Sequence, residues 1–179
     1  MMTVQDTSRL TFRLLSDADK QLLWELDQDP EVMRYINGGK CSTMEDMDNI
    51  LLPRMYKYRN PEKGWGMWGV WTKDDNTFIG WILVRPCNFF NDDTEYDNME
   101  MGWRFNRSTW GKGYATEAAR AVADEQAKLD EVKKLSAIAV PDNEASRRIM
   151  EKLGMDYIRT YLHKDPIGDV EAVYYEMTV

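Results

Sequence analysis

Trp110-Gly-Lys-Gly-Tyr-Ala-Thr-Glu-Ala-Ala-Arg-Ala-Val122 is the stretch that decides the fold. Gly111 and Gly113 lead directly into a pattern whose Ala115, Ala118, Ala119 and Val122 share one helical face. Small residues on that face suit a helix lying close against a sheet. Just upstream, Met99-Glu-Met-Gly-Trp-Arg-Phe105 alternates as a β-strand does. A strand, a short glycine turn and a helix start together make an anion site. The first helical turn has free N–H groups, and the peptide dipoles add positive potential there. With no Cβ at 111 and 113, a phosphate group can approach the main chain closely.

The spacing excludes two familiar phosphate motifs. A P-loop needs Gly-x-x-x-x-Gly-Lys-Ser/Thr, which is absent, and the dinucleotide fingerprint Gly-x-Gly-x-x-Gly fails at Thr116. An ordinary helix start behind a glycine turn also fits these residues taken alone. A second segment adds information. Leu135-Ser-Ala-Ile-Ala-Val140 reads as a strand and is followed by Pro141-Asp-Asn-Glu-Ala-Ser-Arg-Arg-Ile-Met-Glu-Lys-Leu-Gly-Met155. There Asp142 can cap a helix, Ala145, Ile149 and Leu153 share a face, and Gly154 is a suitable left-handed stop.

Taken together, the two segments resemble the signature blocks of the GNAT superfamily of acyl-CoA N-acyltransferases. Trp110-Gly-Lys-Gly113-Tyr-Ala115 aligns with Arg/Gln-x-x-Gly-x-Gly/Ala, and Asn143-Glu-Ala-Ser146 with the Asn-x-x-Ser that opens the later helix. Trp110 departs from the pattern, but a grip made mostly of backbone N–H groups tolerates that. Asp29-Pro-Glu-Val-Met-Arg-Tyr35 and Tyr174-Tyr-Glu-Met177 are similar to the RimJ/RimL-like branch, the ribosomal-protein N-terminal acetyltransferases. The resemblance spans almost the whole chain. It implies a mixed α/β fold with a central, mostly antiparallel sheet of about six or seven strands and helices on both faces. It also implies one N-acetyltransferase domain over residues 1–179, with its core at about 9–178.

Bulk properties agree with that class. The chain has 179 residues, enough for one well-buried domain. Hydrophobic residues are 43% and charged residues 30%, a soluble globular composition. No secretory signal and no apolar run of about 20 residues is present, so neither export nor a membrane span is expected. Cys41 and Cys87 stand alone, as reduced thiols of the cytoplasm do. The net charge of −8 disfavours nonspecific nucleic-acid binding. It is compatible with attraction of a cationic amine, and equally with solubility alone. The acidic run Asn91-Asp-Asp-Thr-Glu-Tyr-Asp-Asn98 carries the same two readings: a hold for a positive substrate, or a solvated hairpin loop.

Elsewhere Leu10–Leu14 alternates as a first strand, and Ser16-Asp-Ala-Asp19 offers a capping-box start. Helical spacing continues through Leu22, Leu23 and Leu26, around Glu31–Tyr35, and from Thr43 toward Tyr58, giving helices that form a lid over the substrate side. Met67–Trp71, Phe78–Val84 and Met99–Phe105 make an antiparallel meander. The tryptophans of Trp65-Gly-Met-Trp-Gly-Val-Trp71 are read as core rather than an aromatic cage. Tyr157–Leu162 and Val170–Met177 are final strands whose pairing stays open.

The resemblance implies direct transfer of an acetyl group from acetyl-CoA to an amine. The main chain of Gly111, Lys112, Gly113, Tyr114, Ala115 and Thr116 would grip the diphosphate, with Lys112 adding charge. N–H groups near Trp103, Arg104 and Phe105 would polarise the thioester carbonyl on a splayed strand edge. Glu100 corresponds by position to a glutamate often assigned as base; the alternative is a surface carboxylate paired with Arg104. Where many relatives carry a tyrosine acid this chain has Met150, so Ser146 is the candidate acid, or else a first-turn serine serving the backbone. Asn143 would bond the pantetheine amides, or simply start its helix. The acceptor is expected to be a protein N-terminal α-amine or a small amine, and monomer and homodimer both remain open. Met150 and Trp110 motivate a rival, a non-catalytic acyl-CoA sensor; a polyamine or aminoglycoside transferase is a second. His163 is the sole histidine, which argues against a zinc site or a Ser-His-Asp hydrolase, and no metal is expected.

Overall fold

A computed structural model describes residues 1–179 of the chain. One seven-stranded sheet runs in the order β1-β2-β3-β4-β5-β7-β6. Its strands are β1 (Leu10–Leu14), β2 (Gly66–Thr72), β3 (Phe78–Cys87), β4 (Glu95–Phe105), β5 (Lys134–Ala139), β6 (Asp156–His163) and β7 (Val170–Thr178). β4 and β5 form the one parallel pair; every other neighbour is antiparallel. Parallel neighbours need a crossover. Here it is α5 (Tyr114–Gln126), the alanine-faced helix that follows the glycine turn.

β4 begins four residues earlier than its apolar alternation suggests, so Glu95 to Asn98 of the acidic run are strand rather than loop. The reason is tertiary. Asn98 is wholly buried, pairs in register with Lys134, and donates from Nδ2 to the Tyr174 hydroxyl at 2.9 Å. The last two strands also sort themselves by tertiary pairing, with β7 inserted between β5 and β6.

Strand alternation builds two cores, one on each face. Met99, Met101 and Phe105 pack with Trp68, Val70 and Ile82 beneath α5 and α6 (Glu144–Leu153). Ala118, Ala119 and Val122 have no exposed surface, because only side chains this small let α5 sit that close to the sheet. On the other face Met67 and Trp81 meet α1 (Lys20–Leu26), α2 (Pro30–Asn37) and α4 (Leu52–Tyr58) through Leu23, Leu26, Val32 and Met55. Each fully buried Leu or Met contributes about 1.5–3 kcal/mol. The Trp-rich stretch of β2 is core as expected: Trp65 and Trp68 belong to the first cluster, and Trp71 packs on the second.

Local chemistry sets the helix ends. Asp29 accepts from the Glu31 N–H, Pro30 holds the first helical position, and Gly38 stops α2 at φ 80°. The helix starting at Thr43 runs through α3 (Met44–Asp46), a π-helical stretch Met47–Leu51, and α4. Pro53 has no N–H to give the preceding turn, and beside it the Leu52 N–H reaches back five residues to the Met47 carbonyl. These helices form more than a lid. They roof the second core, and α2 is the one that also borders the site.

Candidate functional site

The glycine turn presents its amides to open space. None of the N–H groups from Gly111 to Thr116 donates to a carbonyl or side chain of the protein. The first such bond of α5 runs from the Glu117 N–H to the Gly113 carbonyl, and no side chain caps the helix. A helix start normally satisfies these groups with a capping side chain. Leaving six consecutive donors free beside a thirteen-residue helix is the arrangement of an anion site. Gly111 (φ 72°) and Gly113 (φ 79°) are needed for their left-handed backbone, since a Cβ at Gly111 would meet nothing within 4 Å.

Beside the turn, β4 and β5 part company. Their ladder ends at Met101 opposite Ala137, whereas β4 stays paired with β3 as far as Phe105. The Asn106 N–H donates to the Ile79 carbonyl at 2.8 Å. By antiparallel alternation, the main-chain polar groups of Trp103 and Phe105 therefore face away from β3, into the gap. The Phe105 carbonyl is taken by the Trp110 indole N–H at 2.9 Å. What remains is a short open strand edge, able to receive an extended amide-bearing chain as an added strand.

A cavity of about 400 Å³ joins the turn to this gap. Of the residues that the sequence singles out for the cofactor, Trp103, Arg104, Phe105, Gly111, Gly113, Tyr114, Ala115, Thr116, Asn143 and Ser146 line it. Lys112 does not; its Nζ bends back to the Ser108 carbonyl at 2.9 Å. α2, expected from the sequence as part of a lid, supplies a wall whose individual residues the sequence did not single out: Glu31, Val32, Tyr35 and the exposed Ile36. Two ion pairs hold that region over β4, Arg104 with Asp27 at 2.7 Å and Arg107 with Asp29 at 2.9 Å. Ile149, Arg148 and Lys152 complete the opposite wall on α6. The i, i+4 spacing of Ala145 and Ile149 was the available signal for that face.

Asn143, not Asp142, caps α6, its Oδ1 accepting from the Ser146 N–H at 3.2 Å. Asp142 lies one residue too early to reach the first free amides. Ser146 faces the cavity, where its Oγ accepts from the Trp103 indole N–H at 3.1 Å. An indole nitrogen only donates, so the serine hydrogen is left free to turn toward another acceptor. Met150, by contrast, is 1% exposed and belongs to the core.

Glu100 stands apart from the cavity lining. It projects from β4 to the face opposite Ser146, but that face is roofed, and the carboxylate is buried rather than exposed. Its partner is Arg85, directly opposite on β3, with Nη2 at 2.9 Å and Nε at 3.4 Å; Arg104 pairs with Asp27 instead. The Arg85 guanidinium lies under the Tyr58 and Phe90 rings at 5.6 and 5.3 Å. Around this pair burial dominates titration, pushing the Tyr58 and Tyr161 hydroxyls up to about 12. Burial, reinforced by Glu100 and Glu95, also pushes the Cys87 thiol up to about 12, which removes it as a nucleophile. His163 is a buried residue at the end of β6, its Nδ1 3.0 Å from the Tyr161 hydroxyl.

Comparison with known proteins agrees with the geometry. The acetyltransferase (GNAT) domain family matches residues 9–156. YkkB of Bacillus subtilis (strain 168) is 36% identical over 160 residues, covering 86% of each chain. Among solved structures, a GNAT-family acetyltransferase from Bacillus anthracis superposes with a TM-score of 0.77 at 27% identity, covering 99% of this chain and 98% of that one. The aminoglycoside acetyltransferase AAC(6')-Ib, solved with coenzyme A, has a TM-score of 0.75 at 23% identity, covering 94% of both. The ribosomal L7/L12 acetyltransferase RimL and a spermidine N-acetyltransferase from Vibrio cholerae share the fold at 12% and 14% identity, so the ribosomal branch is one neighbour among several. Free amides on a glycine turn, an open strand edge beside it and a family match over most of the sequence lead to one conclusion: the chain belongs to the GNAT family and is an acetyl-CoA-dependent N-acetyltransferase.

Proposed function

We propose that the chain, acting as one cytoplasmic N-acetyltransferase domain, acetylates a primary amine of the RimJ/RimL kind, a protein N-terminal α-amine or a small amine. The observation that carries this reading is the place of the segment Asp29–Tyr35. The residues that motivate the branch resemblance become the cap and body of α2, and Glu31, Val32 and Tyr35 of that helix wall the cavity beside the open edge of β4. The acyl donor then lies along the α5 and α6 side of the gap, and the amine arrives from the side of α2.

In this reading the amides of residues 111–116 hold the diphosphate, and the N–H groups of Trp103 and Phe105 meet the acyl-bearing arm. Asn143 keeps its Nδ2 for the arm while its Oδ1 caps α6. Ser146, its oxygen already accepting from Trp103, offers its hydrogen to the departing sulfur. An α-ammonium with a pKa of about 8, or an alkylammonium with one of about 10, must lose a proton before attack, and Glu100 takes it through water. Two guanidinium donors hold the carboxylate away from the cavity lining, so the proton reaches it by the water path rather than by direct contact.

Turnover with a panel of amines tests the reading. Peptides with a free α-amine, spermidine and an aminoglycoside are incubated with acetyl-CoA, and products are read by mass spectrometry. Preferential acetylation of peptide α-amines supports the branch; exclusive acetylation of spermidine or the aminoglycoside removes the branch and leaves the small-amine acceptor. Cofactor binding with no product from any amine would return the chain to the sensor reading.

A further inference from the structure

Arg9 sits just before β1, about a hundred residues from the glycine turn in sequence, yet its guanidinium is built into the back of that turn. Nη1 donates to the Lys112 carbonyl at 2.9 Å. Nε and Nη2 both reach Glu117 Oε2, at 2.7 and 2.5 Å. The Thr7 hydroxyl donates to the other Glu117 oxygen at 2.5 Å. The guanidinium also stacks 4.3 Å from the centre of the Tyr114 ring.

Two consequences follow for an anion at the turn. In a trans peptide, the carbonyl of one residue and the N–H of the next point in opposite directions. Fixing the Lys112 carbonyl against Arg9 therefore turns the Gly113 N–H toward the cavity side. The second consequence is electrostatic. Glu117 stands in the first turn of α5, where its negative charge would compete with a bound diphosphate for the helix N-terminus. Burial pushes the Glu117 carboxyl up, but the Thr7 hydroxyl and the Arg9 guanidinium outweigh it and hold the group below its ordinary value. The carboxylate is thus charged, and its charge is spent on Arg9.

We propose that Arg9, braced by Thr7 and Glu117, is a positioning residue for the diphosphate of acetyl-CoA. It aims the Lys112–Gly113 peptide at the ligand and neutralises the acidic side chain beside it. The proposal rests on the reading that residues 111–116 bind the diphosphate.

The test compares CoA with pantetheine, which lacks the diphosphate, by titration calorimetry, and measures steady-state kinetics with acetyl-CoA and a peptide amine. Arg9→Ala is expected to weaken CoA binding and raise the KM for acetyl-CoA by roughly tenfold, with kcat changed less than twofold and pantetheine affinity unchanged. Arg9→Lys, which keeps the charge but not the fork, falls between Arg9→Ala and the wild type and guards against a folding defect. CoA affinity within twofold of wild type in Arg9→Ala overturns the proposal, as does an equal loss for CoA and pantetheine. If the wild type itself shows no preference for CoA over pantetheine, the diphosphate reading of the turn fails and Arg9's role falls with it.

Discussion

Replacing Arg85 with Met probes the one buried ion pair that crosses the sheet next to the site. Arg85 and Glu100 are direct cross-strand partners, their side chains 10% and 8% exposed, and two donors reach the carboxylate. Arg85→Met leaves a buried carboxylate unpaired; Glu100→Leu leaves a buried guanidinium in the same state. Breaking such a pair from either side costs about 3–5 kcal/mol. The double variant removes both charges and fills the space with apolar groups under Tyr58 and Phe90. It should lie within about 2 kcal/mol of wild type, because two desolvation costs vanish with the pair. Urea unfolding at pH 7 measures all four proteins, and the cycle should show a coupling of several kcal/mol. A single-variant loss of about 1 kcal/mol or less, the range of an exposed pair, would refute the burial argument. Losses that simply add in the double variant would refute the coupling. The same protein separates chemistry from stability. If Glu100 accepts the amine proton, the folded double variant loses kcat while keeping its affinity for acetyl-CoA; an undiminished kcat makes the pair structural only.

Further outcomes follow from the same geometry. Ser146→Ala should lower kcat by about tenfold or more with little change in CoA affinity, and Trp103→Phe, which deletes the indole donor, should lower it less; equal rates for Ser146→Ala and wild type, measured by thiol release, would remove Ser146 from the reaction. Gly80→Ala should destabilise the chain by about 2–3 kcal/mol and weaken CoA binding. At φ 157° the new Cβ would collide with the Arg104 carbonyl and lie 2.8 Å from the Phe105 Cα, both backbone of the strand that carries the open edge, so no rotamer can relieve it; thermal melting at the wild-type temperature would contradict this. Asp19 is desolvated, yet the two Arg13 donors and the Ser16 N–H hold its carboxyl below the ordinary value. Its stabilisation is therefore complete above the unfolded value of about 3.9 and is lost as pH falls through the lower folded value. Asp19→Asn should flatten acid unfolding below about pH 4, and an unchanged profile would exclude the pair from acid stability.

The local signals in the sequence proved informative where one element satisfies its own needs. The glycine turn, the alanine face of α5, the left-handed stop at Gly154 and the alternation of β4 all come from neighbours within a few residues. The cap of α6 was legible only to within one residue, since Asp142 and Asn143 are both capping types and the choice depends on which oxygen reaches the Ser146 N–H. The acidic run before Met99 looked like loop because the one buried residue that anchors its strand end, Asn98, finds its partner in Tyr174, far along the chain. The apolar period of β4 showed one buried face and left the other open. It could not show that α1, α2 and α4 cover that second face as well.

By itself, then, the sequence determined the donors. The order of strand, glycine turn and helix marks where a run of backbone amides lacks a local partner, because φ, helix dipole and missing cap are properties of adjacent residues. Tertiary structure decided the partners. Whether β4 keeps its edge free, whether Glu100 meets Arg85 or Arg104, and whether Arg9 stands behind the turn depend on strands and helices brought together from distant segments. Side-chain chemistry alone does not rank those pairings, since every carboxylate suits every guanidinium until the sheet order places one of them within reach.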